Sequence, residues 1–303
     1  MMLDAHQLNV FLKAAETLNF TTAAQTLGMS QPSVSQHIKS LEDKFDTPLF
    51  HRSGRHLSLT EAGLVLVPLA RQAVQDSILI EETMSSLNGK VHGSLIVGCS
   101  TTPGKYVLPR LLTAFYHQHP SVRVTCQVSP QSEAVERLEE GTVHFALVSY
   151  GHHTHQDLEF QEFMSDPVVL IAHADHPWAQ QGTIPVEELT GGDFILREKS
   201  SGTYQAVHDA LLREDLYLDQ LPTILVLGNS EAIALAVKEN LGVGFVSRSV
   251  VEGLNQDEVT IVDLTGLAIH RTIFIGRNTR LQASQAQRVF WNYVTAHRSH
   301  SPQ

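Results

Sequence analysis

Leu8, Phe11, Leu12, Ala15 and Leu18 recur at steps of three and four residues, a stripe that predicts an amphipathic helix lying over a core. A short second helix is predicted over residues 21–27, with Thr21 as N-cap, Ala23, Ala24 and Leu27 apolar, and Gly28 ending it. Ser30 then caps a third helix running from Gln31 to about Phe45, with Pro32 in the first turn, where a missing N–H costs nothing. Val34, Ile38, Leu41 and Phe45 are spaced to face inward. Gln31, Ser33, Ser35, Gln36 and Lys39 are left on the opposite side. Two short helices joined so tightly make a helix-turn-helix. The stretch "FHRSGRHLSLT" follows it as a small β-turn wing with Arg52 and Arg55 on it.

From Leu64 to Asn88 the chain runs without a glycine, and Leu66, Ala70, Ala73, Ser77, Ile80, Met84 and Leu87 alternate in steps of four and three. That is a heptad seam with small central residues, interrupted by Pro68, which removes one backbone hydrogen bond and bends the helix. The alternative is that the seam packs on the chain's own core. "NGKVHG" then reads as a hinge. Beyond it the period changes. "SLIVGCS", "VRVTCQV", "HFALVSY", "DPVVLIAHA", "DFILRE", "TILVLG", "GVGFVS" and "RTIFIG" read as strands separated by helical stretches, among them residues near 103–118 and 131–140. Such βαβ alternation implies parallel sheets covered by helices.

Charge changes the picture of the first part. The chain of 303 residues carries a formal net charge of −11, yet residues 1–60 hold five Lys/Arg and five Asp/Glu, so the whole excess lies beyond residue 60. Attraction of the bulk chain to a polyanion is weak, and any contact with nucleic acid must come from the geometry of the neutral part. The outward residues of the third helix suit that role. Glutamine pairs bidentately with adenine, serine reaches bases or phosphates, and a helix N-terminus offers free N–H groups to phosphate. Length suits two or three domains. No run of eighteen apolar residues occurs, and the first ten residues lack an apolar signal core. A cytoplasmic location and no membrane contact are therefore expected. The only two cysteines, Cys99 and Cys126, fall in apolar strand runs, exclude a disulfide framework, and are expected to be buried; a redox switch is the less favoured alternative.

The segment "FTTAAQTLGMSQPSVSQHIKSLEDKFDTPLFHRSGRHLSLTEAG" resembles the winged helix-turn-helix of the LysR-type transcriptional regulators, with its AA-x-x-L-x-x-SQPS-x-S-x-x-I-x-x-LE core followed by PLF-x-R and LT-x-AG. Asp46 departs from the glycine usual in that family after the recognition helix; Asp tolerates a left-handed conformation better than most residues, so a modest cost is expected. The resemblance implies a DNA-contacting set of Thr21, Ser30, Gln31, Pro32, Ser33, Ser35, Gln36, Lys39, Arg52 and Arg55. It also implies an α/β chain in which an all-α winged helix-turn-helix (1–60) and a linker or dimerisation helix (61–88) lead through a hinge (89–93) into an effector-binding domain (94–298). That domain would consist of two Rossmann-like subdomains of the periplasmic-binding-protein type, I over about 94–160 and 270–298 and II over about 161–269, with a flexible tail at 299–303. The implied partners are double-stranded DNA with a dyad operator, a small-molecule effector, further copies in a homodimer or homotetramer, and RNA polymerase.

In open α/β sheets ligands sit beyond the carboxyl ends of strands. Three segments there begin helices with hydroxyls or amides: Ser100, Thr101 and Thr102; Ser200, Ser201 and Thr203; and Asn229 with Ser230. With Gln127 and Ser129 from another strand end, and Lys105 as a weaker charge partner, they form the candidate effector site. As plain helix caps these residues need no ligand; their placement matches the inducer pocket implied by the resemblance. A small carboxylated or phosphorylated metabolite is expected as co-inducer, and no other cofactor. Two readings compete. "GHHTH" places His152, His153 and His155 together, as a metal- or pH-responsive loop would. Residues 94–275 taken alone would suit a solute-binding protein with no DNA role. No G-x-S-x-G, H-E-x-x-H or Walker loop occurs, so catalysis is not expected.

Overall fold

A computed structural model describes the whole chain except residues 1, 54–55, 88–89, 150–155, 254–257 and 297–303. The chain divides into two compact units, Met1–Lys90 and Val91–Gln303.

The first unit is built from α1 (Ala5–Thr17), α2 (Phe20–Leu27), α3 (Gln31–Phe45), the hairpin β1 (Phe50–Ser53) with β2 (His56–Leu59), and α4 (Glu61–Ser86). Its core gathers Leu8, Phe11 and Leu12 of α1, Ala23 and Ala24 of α2, and Val34, Ile38 and Leu41 of α3. The predicted inward face of α3 is therefore correct except at its end: Phe45, in the last turn, remains 38% exposed. The cap of α2 also differs from expectation. Asn19, not Thr21, accepts from the amides of Thr21 and Thr22, and the helix starts one residue early at Phe20. Phe20 is wanted there because its ring meets Phe50 edge-on. Asp46 does adopt the left-handed conformation, with φ 51°.

The tail of the motif has a mechanical reason. Glu42 Oε1 accepts from the amides of Leu49 and Phe50, tying the start of the wing to α3. Thr60 donates to the carbonyl of Pro48 while accepting from Gly63 N as the cap of α4. Gly63 itself packs so closely on the Leu49 carbonyl that a Cβ would collide with it.

Helix α4 turns Leu66, Val67, Ala70 and Val74 onto the unit's own core. The first two positions of the predicted seam are thus internal, because α1 supplies an apolar face beside them. Leu64, Val65, Leu69, Ile78, Ile80, Met84 and Leu87 remain exposed. By length and composition this helix is long and apolar enough to cross a membrane.

The second unit alternates strand and helix: β3 (Gly93–Cys99), a helical segment wound as π-helix over Pro103–Val107 and continuing as α5 (Leu108–Gln118), β4 (Val122–Val128), α6 (Gln131–Glu139) and β5 (Phe145–Val148). Then come β6 (Leu158–His173), α7 (Pro177–Gln181), β7 (Thr183–Ile184), β8 (Phe194–Arg197), α8 (Gly202–Leu212), β9 (Thr223–Leu227) and α9 (Ser230–Lys238). The chain closes with β10 (Val243–Ser247), α10 (Arg248–Gly253), β11 (Val259–Leu264), β12 (Ile269–Asn278) and α11 (Gln285–Ala296).

The main path through the sheet runs β4-β3-β5-β12-β6-β10-β8-β9. Parallel pairing holds at its two ends, β4-β3-β5 and β10-β8-β9. The centre is antiparallel: β12 pairs with β5 and, along Ile269–Asn278, with β6, which in turn pairs with β10. The two parallel halves expected from the strand–helix alternation are present, and the two chain crossings between them are made by long antiparallel strands, β6 and β12, that belong to both. The first half of β6, "LEFQEFMS", was invisible as a strand because Glu159, Gln161 and Glu162 mask the apolar alternation. Separate cores lie in the two halves, one around Phe115, Phe145 and Phe290, the other around Phe194, Leu211 and Phe245.

Candidate DNA-reading surface and candidate effector cleft

On α3, Gln31, Pro32, Gln36 and Lys39 are exposed and Ser33 and Ser35 half-buried, all around the side opposite Val34 and Ile38. Ser30 Oγ accepts from Ser33 N, and Gln31 Nε2 donates to Ser35 Oγ at 2.9 Å, so the first turn is ordered by its own side chains. Thr21 is exposed at the start of α2. Arg52 lies on the wing with its guanidinium over the Phe20 ring, 5.1 Å from the centroid. Arg55 lies outside the described residues, as do His152, His153 and His155 and the predicted tail at 299–303.

Between the two parallel halves of the second unit lies a cleft of about 450 Å³. Its lining includes Ser100, Thr101, Thr102 and Ser129 from one half and Ser200 and Ser201 from the other, together with Gln131, Arg197, Glu198 and Arg271. Six of the nine sequence-predicted residues therefore meet in one place. Three helix beginnings also open onto it, those of α6 at Gln131, of α8 at Gly202, and of the helical stretch after Ser100. The first amides of a helix have no intrahelical partner, and the dipole there is positive, so all three favour an anion.

The remaining three predicted residues are held elsewhere. Gln127 Oε1 accepts from Arg137, Asn229 Oδ1 caps α9 through Ala232 N, and Thr203, only 1% exposed, accepts from Arg271 Nη1 behind the lining. Lys105, the weaker candidate, is drawn across to Glu231, 2.6 Å from its Oε1. Tyr106 O–H donates to the same carboxylate. These contacts hold the Glu231 carboxyl below its ordinary value, the lysine first and the tyrosine second, while burial and then Glu231 push the Tyr106 phenol up.

Sequence reasoning missed the arginines. Arg271 sits in the floor with its Nε 2.6 Å from Asp166 Oδ2, and Ser247 Oγ donates to Asp166 Oδ1 at 2.7 Å. Arg271 Nη2 is also 2.6 Å from Asp166 Oδ2 but lacks hydrogen-bond alignment, leaving it an unsatisfied buried donor. Arg197 grips Glu198 bidentately, at 2.8 and 2.7 Å, and donates to Ser230 Oγ. For Arg197 a positive charge closing an apolar strand, "FILR", was the available signal; Arg271, third in its strand, offered none. Ser149 Oγ is a second buried polar atom without a partner among the described residues. It adjoins Gly202, where a Cβ would strike the Ser149 side chain, so the start of α8 and the end of β5 approach closely only because residue 202 is glycine. Among the described residues no group of three His, Cys, Asp or Glu is placed to hold a metal ion.

A winged helix-turn-helix followed by an α/β unit with a cleft between its halves defines a ligand-responsive DNA-binding regulator. Two family models match the chain: the bacterial regulatory helix-turn-helix protein model of the lysR family over residues 5–64, and the LysR substrate binding domain over residues 88–299. The chain thus belongs to the LysR family of transcriptional regulators. It is 30% identical over 294 residues to the HTH-type transcriptional activator CmpR of Synechocystis, covering 96% of this chain and 95% of that protein. The CcmR regulatory domain of Synechocystis PCC6803, solved in complex with 2-PG, is 30% identical with a TM-score of 0.62 and covers 70% of this chain and 100% of its own. Full-length CbnR complexed with its target DNA shares the fold at TM-score 0.69 and 21% identity, covering 97% of this chain and 99% of its own.

Proposed function

We propose that this chain is a cytoplasmic transcriptional activator that acts by binding and not by catalysis, and that its effector is a small phosphorylated or carboxylated anion held in the cleft. The observation that carries the reading is the convergence of three helix beginnings, Arg197 and Arg271 on one cavity. The fixed charges there balance, Arg197 against Glu198 and Arg271 against Asp166. The helix ends and the hydroxyls of Ser100, Thr101, Thr102, Ser129, Ser200 and Ser201 supply the surplus attraction. An entering anion takes Arg197 over from Glu198, whose side chain is 38% exposed and free to turn to water. The CcmR domain's 2-PG complex favours the same ligand chemistry.

On DNA, Gln31, Ser33, Ser35, Gln36 and Lys39 read the major groove, supported by Thr21, Ser30 and Pro32, by Arg52 on the wing, and by Arg55 as the family motif implies. A homodimer or homotetramer matches a dyad operator, and the exposed apolar residues of α4 are covered by a second copy. The effector shifts the arrangement of the halves only through a difference in its affinity for two arrangements, and the shift changes DNA bending or the contact with RNA polymerase.

Isothermal titration of the full chain with 2-phosphoglycolate, the smallest ester joining a phosphate to a carboxylate, is expected to show saturable binding. Combining Ser100→Ala with Ser201→Ala should weaken it about tenfold, the equivalent of a hydrogen bond to a charged group. No binding of 2-phosphoglycolate, inorganic phosphate or a dicarboxylate at millimolar concentration would remove the anion reading. On the upstream region of the regulator's own gene, Lys39→Ala should weaken all sequences and lower the salt slope by about one, while Gln36→Ala relaxes specificity. Unchanged footprints in both variants would refute α3 as the reading helix.

A further inference from the structure

The two cysteines, 27 positions apart in sequence, lie on neighbouring parallel strands: Cys99 ends β3, and Cys126 on β4 pairs with Val97. Their side chains share one face of the sheet, and their Sγ atoms are 3.2 Å apart, inside the distance at which two sulfurs merely touch. Against expectation only Cys99 is buried; Cys126 is exposed. The arrangement is asymmetric in chemistry as well as in access. The bond with Cys99 holds the Cys126 thiol down, at about 7, against the opposing effect of desolvation, and the same bond, with burial second, drives the Cys99 thiol upward. An exposed thiolate backed by a buried protonated thiol is the pairing that makes one sulfur a nucleophile and the other its resolving partner.

We propose that Cys99 and Cys126 form a reversible thiol–disulfide site, oxidised by hydroperoxides, in which exposed Cys126 is the attacking sulfur and Cys99 the resolving one. The Cys126 thiolate attacks the distal oxygen of the peroxide, the O–O bond breaks, and water or an alcohol leaves with a proton, giving Cys126 sulfenic acid. The Cys99 sulfur then attacks that sulfur; the S–O bond breaks, and hydroxide departs as water with the Cys99 proton. In sum two thiols lose two electrons and two protons, and the peroxide is reduced by the same two electrons. A disulfide needs the sulfurs at about 2.05 Å, so they must close by about 1 Å.

That closure has a mechanical consequence. The chain leaves Cys99 directly into Ser100, Thr101 and Thr102, and Ser129 N donates to the Cys99 carbonyl at 3.0 Å, so both strand ends lead into the cleft wall. Gly104 lies over the pair, where a Cβ would stand 2.7 Å from Cys99 Sγ and 3.8 Å from Cys126 Sγ. The sulfur chemistry stands independently of what fills the cleft.

The test uses the full chain, reduced, freed of reductant and titrated anaerobically with hydrogen peroxide, followed by alkylation under denaturing conditions and peptide mass mapping. The expected product is a Cys99–Cys126 linked peptide within one chain, lighter by two hydrogens and restored by dithiothreitol. Cys99→Ser should stop at a Cys126 sulfenic acid that dimedone traps, and Cys126→Ser should leave Cys99 reduced under the same dose. Two alkylated thiols in the treated wild-type chain, oxidation of Cys126 only to sulfinic acid, or a bond solely between chains would each overturn the proposal. So would a Cys126→Ser variant in which Cys99 oxidises as fast as Cys126 does in the wild type.

Discussion

The DNA-reading unit and the cleft unit place polar side chains by opposite means. On α3 the reading residues follow one another within nine positions of a single helix, and their direction is set by the apolar residues between them. In the cleft, Ser100, Ser129, Ser201 and Arg271 come from segments up to 171 positions apart and are aimed by strand ends and helix caps in two halves of a sheet. A local surface is specified by a short motif and tolerates change behind it only where the supporting turn is met. A cleft is specified by the packing of the whole unit, and depends on buried polar groups whose partners are distant in sequence.

Removing Arg271 should be the most severe break on the cleft side. Arg271→Ala leaves Asp166, 1% exposed, as a buried carboxylate with only Ser247 beside it, a loss of about 3–5 kcal/mol for breaking one side of a buried pair. Both tryptophans, Trp178 and Trp291, lie in this unit, so denaturant unfolding followed by their fluorescence isolates the effect. A loss under about 1 kcal/mol would mean that the floor network is ornamental.

The matching break on the reading side is Gly63→Ala. The added Cβ runs into the Leu49 carbonyl, backbone that cannot step aside, and stands 2.9 Å from a methyl of Leu59. An overpacking cost of about 1–3 kcal/mol is expected. Hydrogen exchange at the Leu49 and Phe50 amides, which Glu42 holds, should accelerate while the tryptophan transition stays where it was. Exchange rates equal to wild type would show that the wing does not depend on this close approach.

The smallest effect is expected at Glu231, which Lys105 and Tyr106 contact from the other half. Its carboxyl is depressed by Lys105 and then Tyr106, so its stabilisation is present above the ordinary value of 4.5 and is lost as pH falls through the lower folded value. Glu231→Gln should therefore cost under about 1 kcal/mol at neutral pH, because the lysine is largely exposed, and the gap from wild type should close as the pH falls below the ordinary 4.5 and through the lower folded value. A gap that widens with acid would mean that the contact between the halves is not ionic.

Legibility followed the same division. Helix α3 could be bounded to the residue because Ser30, Pro32 and the 4, 3, 4 spacing all act within a few positions, and even the left-handed Asp46 followed from local preference. Thr21 was misread as a cap because Asn19, equally suited, stands two residues earlier and Phe20 has a tertiary reason to be helical. In the second unit the strand ends and their hydroxyls were readable, which is why six of the nine residues meet in the cleft. Whether Gln127 and Asn229 face it was not, because Arg137 and the cap of α9 claim them.

By itself, then, the sequence determined the family, the reading helix and its outward face, the alternation of strand and helix, and the segments from which a cleft would be drawn. These depend on spacing and on side chains within one turn or one strand. Only the tertiary structure decided that the two crossings are made by β6 and β12 paired antiparallel along Ile269–Asn278, that the start of α4 belongs to the unit's own core, and that two arginines complete the cleft. It alone brought Cys99 and Cys126 within 3.2 Å. Those outcomes hang on which distant strands pair and in what register, and neither periodicity nor motif encodes that choice locally.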